Sequence, residues 1–214
     1  MNDHIGIVGI GVMGSNIALN FSDNDTNVSL YNKSQNKINQ LISKDSSKNI
    51  SGFTDLEEFV KRIPKPRKIL ILVPSGDATN SVVENLFNFI EEKDTLIDGG
   101  NAYYLDSIDL GKRCSKQGIE FIGMGISGGE TGARTGPALM LGYDKKIPKD
   151  FISMISRIAA KADGQECVGL YKGFGTGHFI KMLHNGIEYA EMQILAEAYN
   201  ILRNAGFDLS LIHI

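Results

Sequence analysis

The sequence predicts an α/β protein with a doubly wound, mostly parallel sheet, followed by the first long helix of an all-α domain. Short β-rich segments alternate with longer amphipathic segments, which is the β-α-β-α order of such a sheet. The predicted strands are nearly all apolar, as in KILILV, which is typical of a sheet covered by helices on both faces. A glycine-rich segment then precedes a long stretch without proline, which predicts the separate helix.

Five strands are predicted in the first part of the chain, and helical segments separate most of them. Thr54 and Glu57 have the spacing of a capping box, which predicts that a helix begins there. The apolar side chains between Val82 and Ile90 repeat with a helical period and predict another helix. The strands are predicted at residues 5–8, 28–31, 68–73, 95–97 and 120–122.

Residues 178–205 contain no proline and one internal glycine, Gly186, which predicts one long helix. At about 1.5 Å per residue this helix is about 40 Å long, longer than most crossover helices of a compact sheet. We therefore place a domain boundary near Gly177. Residues 1–177 form the sheet domain, and residues 178–214 are expected to be the truncated start of an all-helical domain.

Composition and charge exclude several classes of protein. The 22 basic and 25 acidic residues give a net charge of -3, so nucleic acid is not an expected partner. Cys114 and Cys167 lie far apart without metal-ligand spacing, so neither a disulfide framework nor a metal site is expected. The longest apolar run stops at Pro74, far short of the roughly 20 residues that cross a bilayer. We expect a soluble, cytoplasmic protein with no membrane partner.

The segment GIGVMG matches the glycine pattern of dinucleotide-binding loops. It follows the first predicted strand and precedes a helical pattern, as in a Rossmann-like fold. In such loops Gly9 would form the tight turn, Gly11 would let the backbone approach a pyrophosphate, and Gly14 would allow close packing of the helix. The alternative is a glycine-rich turn without a ligand, but the order of the surrounding elements favours a dinucleotide-binding domain.

The end of the second strand favours NADP over NAD. Enzymes that prefer NAD usually place an acidic residue there to bind the ribose 2′-hydroxyl. This chain has Asn32, Lys33 and Ser34 instead, which offer a cation and neutral donors to a 2′-phosphate. The alternative is that Asn32 and Ser34 only turn the chain and cap the next helix.

Two further loops follow predicted strands, at the edge of the sheet where ligands bind. In residues 98–101, Asn101 can both donate and accept hydrogen bonds. In residues 125–134, Ser127 and the glycines after it can present a hydroxyl and free N–H groups. Each loop could equally be a simple tight turn.

Four polar residues share about one third of the circumference of the long helix. Lys181, His184, Asn185 and Glu188 are spaced 3, 1 and 3 residues apart, which places them on one face. Without the preceding fold, a solvated polar stripe would be the simpler interpretation. Next to a dinucleotide site, the same face is a candidate catalytic surface.

These motifs together resemble the N-terminal part of the decarboxylating 6-phosphogluconate dehydrogenase family, from His4 to about Asp208. The resemblance implies oxidation of 6-phosphogluconate by NADP with loss of CO2, giving ribulose 5-phosphate in the pentose phosphate pathway. It also implies a cytoplasmic homodimer that needs no metal. The similar segments are GIGVMG, the IDGGN ending at Asn101, ISGGETGARTGP, and GHFIKMLHNGIEYAEMQ from Gly177 to Gln193.

The resemblance also implies roles for individual residues. Lys181 would take the proton of the 3-hydroxyl, and Glu188 would protonate C1 after decarboxylation. Lys181 must be neutral to act as a base, which requires that burial lower its pKa. The sugar acid would be held by Asn101, Ser127, Gly128, Gly129, His184, Asn185 and Tyr189. The cofactor would be bound by Gly9, Gly11, Met13, Gly14, Asn32, Lys33, Ser34, Val73 and Asn101.

Three positions depart from the family pattern. Lys33 stands where the family commonly has arginine, and lysine lacks the planar fork that grips a phosphate. Pro74 replaces a basic residue, which further reduces the positive charge near the expected phosphate. Tyr143 closes the segment MLGY where the family usually reads MPGG, and the sequence alone offers no physical reason for this change.

Two other functions stay open from the sequence. One is a related β-hydroxyacid dehydrogenase acting on a small unphosphorylated acid, and the other is a dinucleotide-binding fragment without turnover. Beyond Lys181 only Arg203 is available to bind a phosphate, so we expect this chain alone to be inactive. Residues 209–214 read as a translated transposase sequencing adapter, so we expect the natural protein to continue past Asp208.

Overall fold

The computed structural model describes residues 3–207, which contain ten strands and eight helices; these alternate except for β8, β9 and β10, which follow one another. The expectations for Asp208 and residues 209–214 therefore lie outside the described residues. The strands are β1 (His4–Val8), β2 (Asn27–Tyr31), β3 (Ile50–Phe53), β4 (Lys68–Ile71), β5 (Thr95–Asp98), β6 (Glu120–Ser127), β7 (Ala138–Tyr143), β8 (Lys161–Ala162), β9 (Gln165–Glu166) and β10 (Val168–Lys172). The helices are α1 (Val12–Asp23), α2 (Gln35–Ile42), α3 (Leu56–Arg62), α4 (Asp77–Leu86), α5 (Tyr104–Lys116), α6 (Gly129–Thr135), α7 (Lys149–Ile158) and α8 (Thr176–Asn204).

Eight strands form one sheet in the order β10-β7-β6-β5-β4-β1-β2-β3. The six strands from β3 to β6 are parallel, β7 pairs with β6 in the antiparallel sense, and β10 runs parallel to β7. The order 3-2-1-4-5-6 of the parallel strands is that of a Rossmann fold, whose ligand crevice lies where the order reverses, between β1 and β4. The predicted doubly wound, mostly parallel sheet is confirmed.

Buried side chains cover both faces of the sheet, as the apolar strands predicted. On one face Ile7 and Leu30 pack with Phe21 of α1 and Phe151 of α7. On the other face the strands pack against α3, α4 and α5, and Phe59 of α3 is fully buried there. Because a central strand such as β4 buries both of its faces, its sequence is a continuous apolar run.

Several predicted boundaries were wrong. The helix expected to begin at Thr54 is capped instead by Asp55, whose carboxylate accepts a hydrogen bond from the Glu58 N–H at 2.8 Å. Aspartate is at least as good a cap as threonine, so the residue one position later takes this role. The strand predicted at 120–122 continues to Ser127, and the strand predicted at 68–73 ends at Ile71. Strands β3, β7, β8, β9 and β10 were not predicted.

A buried ion pair joins β4 to β5 at the amino end of the sheet. Asp94 accepts hydrogen bonds from the backbone N–H of Arg67 at 2.6 Å and from its guanidinium at 2.8 Å. The Glu91 N–H, 3.0 Å away, donates a third bond to the same carboxylate. The side chains of Arg67 and Asp94 are 8% and 1% exposed, so each charge depends on the other for compensation.

The predicted long helix is confirmed as α8. Its first turns pack against β6, β7, β10 and α5, and Gly177 and His178 are buried there. From Gly186 to Phe207 every residue is exposed, including Ile194 and Leu195 at 66% and 69%. The far part of α8 therefore extends beyond the sheet. Within residues 3–207, no helix combines the length and apolar character needed to span a bilayer.

Candidate active site

The turn between β1 and α1 has the geometry that its three glycines predicted. Gly9 has a φ of +94°, and a Cβ there would lie 2.5 Å from the Leu72 carbonyl oxygen. A Cβ on Gly14 would lie 2.0 Å from the carbonyl oxygen of Gly9. A Cβ on Gly11 would meet nothing within 4 Å, so a ligand could approach its backbone. The free N–H groups at the start of α1 suit a diphosphate, so the turn fits a dinucleotide.

A cleft of about 290 Å³ lies at the ends of β1, β2 and β4, where the strand order reverses. Four of the predicted cofactor residues line it, namely Gly9, Asn32, Lys33 and Val73. Gly11 instead borders a separate cleft of about 460 Å³ along α1 and α2. Ser34 lines neither cleft, because its hydroxyl caps α2 by accepting the Lys37 N–H at 3.5 Å. The alternative interpretation of Ser34 as a helix cap thus agrees with its geometry.

A larger cleft of about 600 Å³ opens between the carboxyl ends of β5 and β6 and the side of α8. It gathers every residue that the sequence analysis assigned to the sugar acid, together with both proposed catalytic residues. Met13, which was assigned to the cofactor, and Ile126, which was not predicted, complete the wall. The lining residues are Met13, Asn101, Ile126, Ser127, Gly128, Gly129, Lys181, His184, Asn185, Glu188 and Tyr189.

Lys181 is the centre of the hydrogen bonds in this cleft. Its ammonium nitrogen lies 3.0 Å from the Ser127 hydroxyl and 2.7 Å from the Asn185 side-chain oxygen. Burial lowers the pKa of Lys181, and the negative charge of Glu188 opposes this shift. A lysine with a lowered pKa and two polar partners in a cleft is a candidate general base.

His184 joins the other polar groups of the helix face. Its Nε2 lies 3.4 Å from the Ser127 hydroxyl, and its Nδ1 lies 3.3 Å from the Asn185 oxygen and 3.6 Å from a Glu188 carboxylate oxygen. The Glu188 side chain is 55% exposed and lines the same cleft. The four polar residues of the α8 face therefore form one connected cluster with Ser127. A solvated polar stripe would not need such contacts to the sheet.

Glycines bring α8 close enough to β6 for this cluster to form. A Cβ on Gly125 of β6 would lie 2.6 Å from the Cβ of Lys181. A Cβ on Gly142 of β7 would lie 2.6 Å from the backbone nitrogen of Gly177. Tyr143, which the sequence left unexplained, ends β7 and packs its ring under the Lys172 ammonium, 4.7 Å from the ring centre.

His178 is a polar residue of this region that the sequence analysis missed. It lies one turn before Lys181 and is only 2% exposed. A single histidine among apolar helix residues gives no sign of burial, so only the tertiary structure could identify it. Among residues 3–207, no three His, Cys, Asp or Glu side chains cluster in a way that could hold a metal.

The parallel sheet, the glycine turn and the two clefts at the carboxyl ends of its strands define a dinucleotide-binding domain of an oxidoreductase type. Residues 4–172 match the family model described as the NAD binding domain of 6-phosphogluconate dehydrogenase. Residues 177–213 match the model of the 6-phosphogluconate dehydrogenase C-terminal domain. The chain belongs to the 6-phosphogluconate dehydrogenase family.

Relatives with curated names agree with this assignment. A Staphylococcus epidermidis protein named 6-phosphogluconate dehydrogenase, decarboxylating, is 44% identical over 205 residues, which are 95% of this chain and 44% of the relative. A Bacillus subtilis relative is 43% identical over 203 residues, covering 95% of this chain and 43% of its own, and is named NAD(+)-dependent. The chain therefore spans less than half the length of these relatives.

Solved structures show the same fold. A Plasmodium falciparum 6-phosphogluconate dehydrogenase, studied with NADP+ and with 6-phosphogluconate, superposes with a TM-score of 0.88 at 33% identity and covers 94% of this chain and 43% of its own. A Mycobacterium tuberculosis 3-hydroxyisobutyrate dehydrogenase has a TM-score of 0.77 at 17% identity, covering 97% of this chain and 67% of its own. The second similarity concerns the fold alone.

Proposed function

We propose that the whole protein to which this chain belongs oxidises and decarboxylates 6-phosphogluconate to ribulose 5-phosphate and CO2, with reduction of NADP. The observation that carries this proposal is the position of Lys181, held by Ser127 and Asn185 in a cleft beside the dinucleotide turn. A base in that position can act on a hydroxyl group of a bound sugar acid. The family assignment and the named relatives support the choice of substrate.

In the first step Lys181 takes the proton of the 3-hydroxyl while C3 is oxidised. Its pKa is lowered by burial, so a larger fraction of its side chains is neutral at physiological pH than for an exposed lysine. The Ser127 hydroxyl and the Asn185 side chain orient the nitrogen toward the substrate. When bound, NADP supplies the acceptor for the hydride that leaves C3.

In the second step the 3-keto acid loses CO2, and the electrons of the broken bond form an enolate. The Lys181 ammonium, protonated in the first step, stabilises the developing negative charge on the C3 oxygen. Glu188, in its protonated form, then protonates the carbon that becomes C1 of the product, and the proton held by Lys181 afterwards restores the protonated Glu188. Its carboxyl lines the same cleft, one helical turn from His184 and two turns from Lys181, so the acid and the base lie on one face of α8.

NADP is the cofactor that the described residues fit best. Asn32 and Lys33 line the smaller cleft, and neither carries the negative charge that would repel a 2′-phosphate. Gly9, Gly11 and Gly14 would hold the diphosphate. The Bacillus subtilis relative, named NAD(+)-dependent, makes the preference a question to be measured for this chain.

The proposed activity belongs to the whole protein rather than to this chain. We propose that residues 1–177 form the dinucleotide-binding domain, and that residues 178–214 begin a helical catalytic and dimerisation domain. The apolar side chains exposed on α8, such as Ile187 and Leu195, would be covered by that domain. The full-length protein is proposed to be a cytoplasmic homodimer, and this chain alone is proposed to bind NADP without releasing CO2.

A substrate comparison tests the proposed reaction. The full-length protein should form NADPH and CO2 in equal amounts from 6-phosphogluconate and should have little activity with unphosphorylated gluconate or 3-hydroxyisobutyrate. Faster oxidation of 3-hydroxyisobutyrate, without CO2 release, would instead identify a β-hydroxyacid dehydrogenase. Tight NADP binding with no turnover of any of these acids would indicate a non-catalytic binding protein.

A further inference from the structure

His178 lies in a buried polar cluster beneath the larger cleft. Its Nδ1 is 2.7 Å from the hydroxyl of Ser107 on α5, and its Nε2 has no hydrogen-bond partner among residues 3–207. Gly123 of β6 lies against the ring, since a Cβ there would be 3.1 Å from Nδ1. An apolar side chain would fill this space at a lower desolvation cost. Packing alone therefore does not explain a histidine at this position.

Asp98, at the end of β5, is the charged member of this cluster. It is 2% exposed, and its carboxylate accepts the Gly100 N–H at 3.0 Å. Burial raises the pKa of Asp98 and lowers the pKa of His178, and the electrostatic attraction between the two groups opposes both shifts. Asp98 and His178 are therefore neighbouring buried groups, and burial disfavours the charged form of each.

Two residues of the larger cleft are attached to this cluster through short stretches of backbone. Asn101 follows Gly100, whose N–H is held by Asp98, and the Asn101 carbonyl oxygen accepts a bond from the Ser75 hydroxyl at 3.1 Å. Lys181 follows His178 by three residues on α8, which is almost one helical turn. His178 thus joins the first turn of α8 to α5 through Ser107 and to β6 through Gly123, and β6 ends at Ser127, whose hydroxyl lies 3.0 Å from the Lys181 nitrogen.

We propose that His178 is a positioning residue, whose buried imidazole fixes the first turn of α8 against α5 and β6 and so sets Lys181 relative to Ser127. Its side chain lines neither the smaller nor the larger cleft. The kinetic effect expected from replacing His178 rests on the proposed function, whereas the expected effect on the pKa of Lys181 does not.

The first test measures steady-state kinetics of the full-length protein carrying His178→Phe. Misplacing a catalytic group typically lowers the reaction rate by up to about 100-fold. We therefore expect kcat to fall by about 10- to 100-fold and KM for 6-phosphogluconate to rise. KM for NADP should change by less than about twofold. His178→Asn, which keeps a polar atom near the position of Nδ1, should recover a large part of the loss.

The chain offers a matched control in His4. Its Nε2 lies 2.9 Å from the hydroxyl of Ser29, so His4→Phe removes the same kind of His–Ser contact at the opposite end of the sheet. This control should leave the kinetic constants per folded enzyme unchanged. Equal losses in both histidine variants, or parental constants in His178→Phe, would overturn the proposal.

A second test uses this chain and needs no turnover. Lysine acylation at a series of pH values, followed by peptide mass spectrometry, should show a lowered pKa for Lys181 in the parent and in His4→Phe. In His178→Phe, and less strongly in the milder Ser107→Ala, the pKa should move back toward the ordinary lysine value. A Lys181 titration unaffected by either change would refute the positioning role. Loss of the lowered Lys181 pKa in His178→Phe, together with a full-length parent that does not turn over 6-phosphogluconate, would support the positioning role and reject the proposed function.

Discussion

Replacing Lys33 by alanine should weaken the binding of NADP and leave the binding of NAD nearly unchanged. Lys33 lines the smaller cleft beside Asn32, at the position where a 2′-phosphate would lie. A charge-assisted hydrogen bond contributes about 1.5–3 kcal/mol, whereas an exposed ion pair contributes about 0.2–1 kcal/mol. Lys33 is exposed but would face a doubly charged phosphate, so we expect an intermediate value of about 1.4 kcal/mol, which is tenfold in Kd.

Fluorescence titration of this chain with each cofactor measures the difference. Lys112→Ala is the control, because it removes an equally exposed positive charge from α5, away from both clefts. Lys33→Arg should bind NADP more tightly than the parent, since a guanidinium grips a phosphate with two parallel bonds. The NADP advantage should shrink as salt rises, because salt screens an exposed charge. Equal losses of NADP and NAD affinity in Lys33→Ala would refute this reasoning.

Three further outcomes are expected. Asp94→Ala, which leaves a buried guanidinium uncompensated, should lower the free energy of unfolding in urea by about 3–5 kcal/mol, whereas Glu57→Ala at an exposed ion pair should cost less than about 1 kcal/mol. Gly14→Ala, whose Cβ would lie 2.0 Å from a backbone oxygen of the dinucleotide turn, should abolish NADP binding in calorimetry, whereas Gly186→Ala, which meets nothing within 4 Å, should not. Burial lowers the pKa of Lys181, and the neutral amine is the active form. The kcat/KM of the full-length protein should therefore rise with pH and level off below the pH range in which an ordinary lysine titrates. A midpoint at the ordinary lysine pKa would show that the base is not buried.

The parallel centre of the sheet could be predicted because its strands are buried on both faces. KILILV is such a segment, and the glycine turn identified the switch point beside it. The strands outside this parallel centre carried weaker signals. Ile50–Phe53 contains Gly52 and a serine, and Ala138–Tyr143 is held as a strand by pairing with both β6 and β10. Pairing between distant segments leaves little trace in local sequence.

The site was predicted in parts rather than as a whole. Asn101, Ser127 and Lys181 were each identified from their own motif, and their meeting in one cleft follows from the strand order. The role of Ser34 was less predictable, because cofactor-binding and helix-capping serines look alike in sequence. His178 could not be found at all, since burial of a polar side chain depends on contacts made by α5 and β6.

We propose that Lys181 is the base of the oxidative decarboxylation carried out by the full-length protein in the cleft between β6 and α8. The measurement that decides this is NADPH formation from 6-phosphogluconate by the full-length protein carrying Lys181→Met, which keeps the length of the side chain and removes its nitrogen. We predict that kcat falls by about 10²- to 10⁴-fold, as for loss of an acid-base group, while Kd for NADP stays within about twofold of the parent. Turnover near the parental rate in a correctly folded Lys181→Met protein would contradict the account.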